Sequence, residues 1–285
     1  MNYSTSICRR FFAPVVVALV VFAATSVSAG QTAILTPDGT DMSSRFADGL
    51  ERELEESISI LDRDLTAAVF QVQGFKSPYN LSINEARIVG SGTGCSYLIL
   101  LKSDTLRRTS FERKKYFESY AAVFLVDARR GDLIDFRLQE SEAETAENAA
   151  AMILKTVKET AVHLGTRIRE HKKNGGNAVP VNREGANADN ESVRAPLPYK
   201  RIKPEYTKSA DLYGIEATVD IEVEIDKAGK VTDTRIVRWA GFGLDESVER
   251  TVRRMNWRPA DTRSGTFTMR VMLRYNFRDI EDTDS

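Results

Sequence analysis

Residues 217–231 read ATVDIEVEIDKAGKV. Ala217, Val219, Ile221, Val223 and Ile225 alternate with Thr218, Asp220, Glu222 and Glu224. That period of two belongs to a strand with one buried face and one acidic, wet face. Lys227-Ala228-Gly229-Lys230 then turns the chain, and Val231 to Trp239 returns as a hairpin partner. Its Arg235 or Arg238, depending on register, is expected to face the acids of the first strand. Asp245 is expected to cap a short helix with Leu244, Val248, Val252 and Met255 inward and Arg250, Arg253 and Arg254 outward, ended by Trp257-Arg258-Pro259. A third strand from Thr266 to Phe277 would bury Phe267, Met269, Val271, Leu273, Tyr275 and Phe277 while showing Thr268, Arg270, Met272, Arg274 and Asn276. With a short helix near Pro204 to Leu212 in front, the expectation is a β-β-α-β unit built on a three-stranded antiparallel sheet.

Upstream of this unit the composition changes. Residues 173–195 are rich in Asn, Ala and Gly, include Pro180 and have no apolar period, as expected of a solvated linker between two domains. Residues 30–172 carry 19 basic and 22 acidic side chains, and residues 194–278 carry 17 and 12, so the two sides differ in the sign of their charge. The chain as a whole, 285 residues with a net charge of −1 and 42% apolar, is neither disordered nor generally nucleic-acid-binding in composition, and no nucleic-acid partner is expected. Residues 279–285 form an acidic tail.

Within residues 30–172 an αβ domain of helices on an antiparallel or mixed sheet is expected, giving an α+β fold class overall. Phe46, Leu50, Leu54, Ile58 and Leu61 make an amphipathic helix that Ser43 or Ser44 is available to cap, and Leu65 to Val72 continues or repacks it. A second helix starts at Ser82, with Glu85 completing a capping box, and closes in Gly90 to Gly94. Tyr97 to Lys102 is a continuous apolar run suited to a central strand; Tyr116 to Asp127 joins Leu133 to Leu138 in a hairpin through the turn at residues 129–132. Ala143 to His171 reads as one long helix with Ala146, Ala150, Ile153, Val157, Ala161, Leu164 and Ile168 on its inner stripe. This block loosely resembles small αβ domains of bacterial envelope proteins such as the amino-terminal domain of TolB.

Residues 1–29 are set apart. Arg9 and Arg10 precede the apolar run Phe11 to Ala24, and Val27-Ser28-Ala29 places small residues where a signal peptidase reads, so a cleavable secretory leader is expected. An uncleaved inner-membrane anchor facing the periplasm is the alternative, with membrane association through the amino terminus. Removal of the leader would leave Cys95 alone, a small buried apolar residue rather than a reactive thiol.

Signatures of catalysis are weak. Gly90 to Gly94 closes a helix and precedes a strand, the reverse of a phosphate loop. His163 and His171 stand eight residues apart on one helix, too far to share a metal without further ligands. Asp62 with Asp64, and Asp127 with Asp132 and Asp135, suit solvated faces better than a carboxylate dyad. Neither cofactor, metal nor catalytic residue is expected, and the chain is expected not to be an enzyme. Arg107, Arg108, Arg113, Lys114 and Lys115, interleaved with Phe111, Tyr116 and Phe117, form a basic cluster that a solvated loop explains most simply, with an anionic envelope polymer or lipid headgroups as the alternative in an exported protein.

A family pattern is carried by Lys203-Pro204-Glu205-Tyr206, Ala210, Gly214-Ile215-Glu216, the strand ending in Ile225-Asp226-Lys227-Ala228-Gly229-Lys230-Val231, Leu244-Asp245-Glu246, Trp257-Arg258-Pro259-Ala260, Gly265 and the last alternating strand to Phe277. Residues 196–278 thereby resemble the TonB carboxy-terminal domain. Thr207 and Ala217 depart from the proline and glycine usual there. TonB itself also has an uncleaved membrane helix and a proline-rich spacer, so the resemblance covers the binding head alone. It implies a periplasmic, non-catalytic protein-binding unit whose last strand accepts a short segment of an outer-membrane receptor or other envelope protein as an added strand. The partner-binding residues so implied are Thr268, Arg270, Met272, Arg274, Asn276 and Tyr206, the arginines favouring an acidic or polar peptide. A structural envelope protein without a role in transport is the alternative.

Overall fold

A computed structural model describes residues 30–174 and 193–278. The expected leader, most of the expected linker and the acidic tail lie outside them. In the amino-terminal part the order is β1 (Thr32–Leu35), α1 (Asp41–Glu55), α2 (Arg63–Val72), α3 (Ile83–Thr93), β2 (Tyr97–Arg108), β3 (Tyr116–Asp127), β4 (Leu133–Ala143), α4 (Ala146–Leu154) and α5 (Val157–Lys173). The sheet runs β1-β2-β3-β4, with β1 parallel to β2 and the rest antiparallel, so it is mixed.

The apolar run at Tyr97 to Leu101 is continuous because both faces of the sheet are covered. Ile34, Tyr97, Ile99, Leu101, Ala121, Val123 and Leu125 face α1, α4 and α5. On the opposite face Ala33, Leu35, Leu98, Leu100, Tyr120, Ala122, Phe124 and Val126 share one core with α2, α3 and the carboxy-terminal part.

Three helix expectations need correction. Thr40 caps α1 by accepting from the Ser43 N–H, whereas Ser43 is buried and its hydroxyl exchanges hydrogen bonds with the backbone of Ser103. Helix α1 stops at Glu55, so Ile58 and Leu61 lie beyond it. The single long helix is two: Ala143 belongs to β4, Thr145 caps α4, and the chain breaks at Lys155-Thr156. The apolar stripe survives the break, since Ile153 and Val157 remain buried on either side. The capping box at Ser82 and Glu85 forms as the spacing predicts, and Gly94 ends α3 at φ +76°.

The carboxy-terminal part runs β5 (Leu197–Pro198), α6 (Lys208–Leu212), β6 (Ala217–Ile225), β7 (Val231–Arg238), α7 (Leu244–Arg253), β8 (Trp257–Arg258), β9 (Ala260–Thr262), β10 (Gly265–Phe267) and β11 (Met269–Phe277). Its main sheet is antiparallel in the order β11-β6-β7. The α+β class and the three-stranded sheet are thus as expected. The expected last strand is divided, however: β10 folds back on β9, and β11 begins at Met269. Asp245 does not cap α7 either. Gly243, at φ +76°, is the cap, and the buried Asp245 carboxylate reaches back to the N–H groups of Ala240 and Gly241.

The two parts are joined by aromatic packing and buried hydrogen bonds. Phe124 of β3 lies 5.4 Å from Trp239 and 4.8 Å from Phe136, and Phe136 lies 4.9 Å from Phe242. Gly241, at φ +70°, passes so close that a Cβ there would sit 2.7 Å from both Phe124 and Phe136. The Asn80 carboxamide donates to the carbonyls of Thr218 and Trp239 at 2.9 and 2.6 Å and accepts from the Thr218 N–H at 2.9 Å. Among the described residues no helix is long and apolar enough to cross a membrane.

Candidate functional site

The two edges of the β11-β6-β7 sheet are not equivalent. On the β7 side, Arg238 forms an antiparallel bridge with Ser82, and the Trp239 N–H donates to the Leu81 carbonyl. Arg238 also reaches the Asn80 carbonyl at 2.7 Å and Glu85 at 2.9 Å, and Arg235 reaches Asp132 at 2.8 Å. The amino-terminal part thus obstructs that rim at its Arg238 end, although no named strand pairs along it. On the β11 side, no strand among the described residues pairs with the outer rim.

Which groups line that rim follows from the register. Thr218 turns both its N–H and its C=O to the Asn80 side chain, so it exchanges no ladder bond with Asn276 directly opposite. In an antiparallel pair, opposite residues exchange both bonds or neither. Asn276 therefore directs its own N–H and C=O outward, and with no register shift along the pair, so do Arg274, Met272 and Arg270. Met269, Val271, Leu273, Tyr275 and Phe277 carry the bonds to β6. The Arg274 carbonyl is already taken: the Arg201 guanidinium donates to it while lying 4.9 Å above the Tyr275 ring.

The residues implied by the family pattern are only partly brought together. Arg270, Met272, Arg274 and Asn276 share the exposed face of β11 and its outer rim. Thr268 falls between β10 and β11, outside the ladder. Tyr206 is half-buried; its hydroxyl lies 3.1 Å from the carbonyls of Ala210 and Ile215 and its ring stacks on Phe277, so it organises the approach to β6. The arginines face inward along the sheet surface. Arg274 holds Asp220 through two bonds of 2.7 and 2.9 Å, and Arg270 holds Glu224 and Asp233, each at 3.0 Å. Hydrogen bonds from Thr232 and then Arg270 keep the Glu224 carboxyl below the usual carboxylate range. The half-exposed pairs of Arg270 each contribute up to about 1 kcal/mol, Arg274 holds a buried carboxylate, and together they leave little charge for an incoming peptide.

Residues that the sequence does not single out complete the site. Asn80 fixes which groups of β6 face which way, and Arg201 covers one acceptor of the rim. Neither lies in a motif; their roles follow from long-range packing alone.

The other chemistry-bearing groups are held in structural pairs. Asp62 caps α2, and Asp127 is buried, accepting from the N–H groups of Arg129 and Arg130. Asp132 and Asp135 pair with Arg235 and His163, so these acids are partnered rather than solvated. His171 lies 3.4 Å from the Tyr97 hydroxyl. Cys95 is buried, which pushes its thiol up. Among the described residues no three His, Cys, Asp or Glu side chains are grouped to hold a metal ion.

A search of curated proteins found no match to the chain. Among solved structures, a hypothetical protein from Chlamydia trachomatis is similar at 10% identity and TM-score 0.35, covering 50% of this chain and 99% of that one. A lipoprotein from Neisseria meningitidis is similar at 10% identity and TM-score 0.34, covering 47% and 99%. The TonB carboxy-terminal domain of Pseudomonas aeruginosa is similar at 17% identity and TM-score 0.26, covering 30% and 87%. The family model described as Gram-negative bacterial TonB protein C-terminal matches residues 202–278, the stretch that holds α6, the three-stranded sheet and α7. Residues 202–278 therefore belong to the TonB carboxy-terminal family of domains.

Proposed function

We propose that this protein is a periplasmic adaptor whose TonB-like domain captures a segment of an outer-membrane receptor or other envelope protein as an added strand on β11. The observation that carries the proposal is the outward rim of Arg270, Met272, Arg274 and Asn276, which pairs with no strand among the described residues, while the opposite rim is obstructed at its Arg238 end by the bridge to Ser82. An unpaired rim offers N–H and C=O groups at fixed spacing, so affinity comes from the guest's backbone and its side chains are free to vary. The periplasmic location rests on the leader pattern of residues 1–29. A cleaved leader leaves no membrane helix to couple the head to an inner-membrane motor, so binding rather than autonomous energy transduction is the proposed role.

The test uses full-length protein and receptor-derived peptides in a pull-down. Met272→Pro and Asn276→Pro each remove an outward N–H without touching a backbone ladder bond to β6, although Asn276→Pro also gives up the bond that its side chain accepts from the Thr218 hydroxyl. Each is expected to cut peptide capture by about fivefold or more while far-UV circular dichroism stays unchanged. Undiminished capture by both variants sinks strand addition at this rim. A structural envelope protein is the second reading, favoured by the Arg201 cap on the Arg274 carbonyl, which already shields part of the edge. Such a protein would ignore the peptides altogether.

A further inference from the structure

The β2–β3 hairpin ends in a tip whose residues 109–115 are all exposed. The tip is ordered by its own bonds: the Ser110 N–H donates to the Arg113 carbonyl at 2.9 Å, and the Arg113 N–H donates to the Ser110 hydroxyl at 3.1 Å. That closed turn places Phe111 and Glu112 at the apex, with Phe111 fully exposed. Two arginines brace the base. Arg108 donates to Glu118 and to the Leu212 carbonyl, each at 2.7 Å, and Arg113 pairs with Glu142 while its guanidinium lies 4.0 Å above the Tyr116 ring. Arg107 and Lys114 are exposed and make no ion pair among the described residues, and Lys115 lies 5.0 Å above the Phe117 ring. Against these three cations stands one acid at the tip, Glu112.

We propose that this hairpin tip docks on an anionic lipid surface, with Phe111 entering the boundary between headgroups and acyl chains and Arg107, Lys114 and Lys115 meeting the lipid phosphates. A bare aromatic ring at a braced apex gains nothing from the protein's own core, so its apolar surface is matched only by something outside the molecule. The occupant's charge is set by the cations around it. Its shape is set by the geometry. A specific protein partner needs roughly 800 Å² of complementary surface per side, more than one ring on a seven-residue convex tip presents. A bilayer needs no shape complementarity: it accepts a single aromatic wedge with flanking cations, as interfacial anchors do. The proposal is independent of peptide capture at β11.

The apolar run from Phe11 to Ala24 would itself bring full-length protein to vesicles, so the readout must come from the tip. Phe111→Trp adds an exposed indole beside two native ones, Trp239 and Trp257, that are both buried. With vesicles of phosphatidylglycerol and phosphatidylcholine, its emission is expected to shift to the blue and to be quenched by brominated acyl chains; with phosphatidylcholine alone it should do neither. Adding Lys114→Glu and Lys115→Glu should weaken the response by about 25-fold, taking roughly fivefold per cation removed. The proposal is overturned by no shift on anionic vesicles, by an equal shift on both kinds, or by a shift with polyglutamate as large as that with lipid. The last result would assign the tip to an acidic polypeptide.

Discussion

Replacing Asn80 with alanine tests whether the two parts fold as one body. The Asn80 side chain is 7% exposed and makes all three of its described bonds across the junction: two donated to the Thr218 and Trp239 carbonyls, one accepted from the Thr218 N–H. Alanine strands one donor and two acceptors. Each lost bond costs about 1 kcal/mol, and more where water cannot reach the orphaned group. Trp239 is 1% exposed, so its carbonyl belongs to the costlier kind. The total is about 3 kcal/mol, which at a urea slope of about 2.5 kcal/mol/M lowers the midpoint by roughly 1 M. Unfolding is followed by tryptophan fluorescence, which reports Trp239 at the junction together with Trp257 in the carboxy-terminal part, and by far-UV circular dichroism, which reports the whole chain. The parent should give one coincident transition, because a single apolar core runs through both parts. Asn80→Asp keeps an acceptor for Thr218 but sets a negative charge against two carbonyls, so it should destabilise at least as much as alanine. A midpoint shift below about 0.3 M for alanine, or separate transitions in the parent, would refute the reasoning.

Three further outcomes are expected. Burial pushes the Asp245 carboxyl up from 3.8 to about 7, opposed by hydrogen bonds from Gly241 and Ala240. The folded state then binds a proton that the unfolded state releases, so stability from this group is full below pH 4 and is lost as pH rises towards 7. Asp245→Asn should flatten that slope in urea midpoints taken across the range. Gly241→Ala forces a side chain at positive φ against the Phe124 and Phe136 rings; a loss of about 2 kcal/mol should lower the melting temperature by roughly 5 °C in a calorimetric scan. Arg201→Ala frees the Arg274 carbonyl, so peptide capture measured by titration calorimetry should tighten by about threefold, and weaker capture would mean that Arg201 assists the guest.

Much of the fold is written locally. The strand over residues 217–225, the turn at residues 227–230 and the Ser82 to Glu85 box are all decided within a few residues of where they act, and all form. The acidic face of the strand is not wet as expected, however: Asp220 is buried under Arg274 and Glu224 is half-covered by Arg270. What was not legible depends on partners distant in sequence. The four residues of β1 are too few for a period to declare itself, and they become a strand only because β2 lies alongside. The break at Lys155-Thr156 is invisible to an apolar stripe that continues across it. Asp245 has the composition of a cap, yet Gly243 takes that role because the loop from Trp239 to Phe242 is pinned against the amino-terminal sheet. The alternation of β11 correctly shows which side chains are outward, but not that Arg270 and Arg274 are already paired on β6. Those pairings depend on register, which is a property of two strands rather than of one.

The obstruction of β7 by Ser82 gives the three-stranded sheet a limited capacity. A ribbon with two bare borders can extend indefinitely, each newcomer presenting a fresh border to the next. Here the β7 border is obstructed at its Arg238 end by residues 81 and 82 and tied through Arg235 to Asp132, so β11 is the border left open to a newcomer. Two copies meeting β11 to β11 about a twofold axis would make six strands bounded on both sides by β7, and growth would be hindered there. The amino-terminal half thus hinders fibre-like stacking through β7, and self-association and capture of a guest at β11 are mutually exclusive uses of the same border.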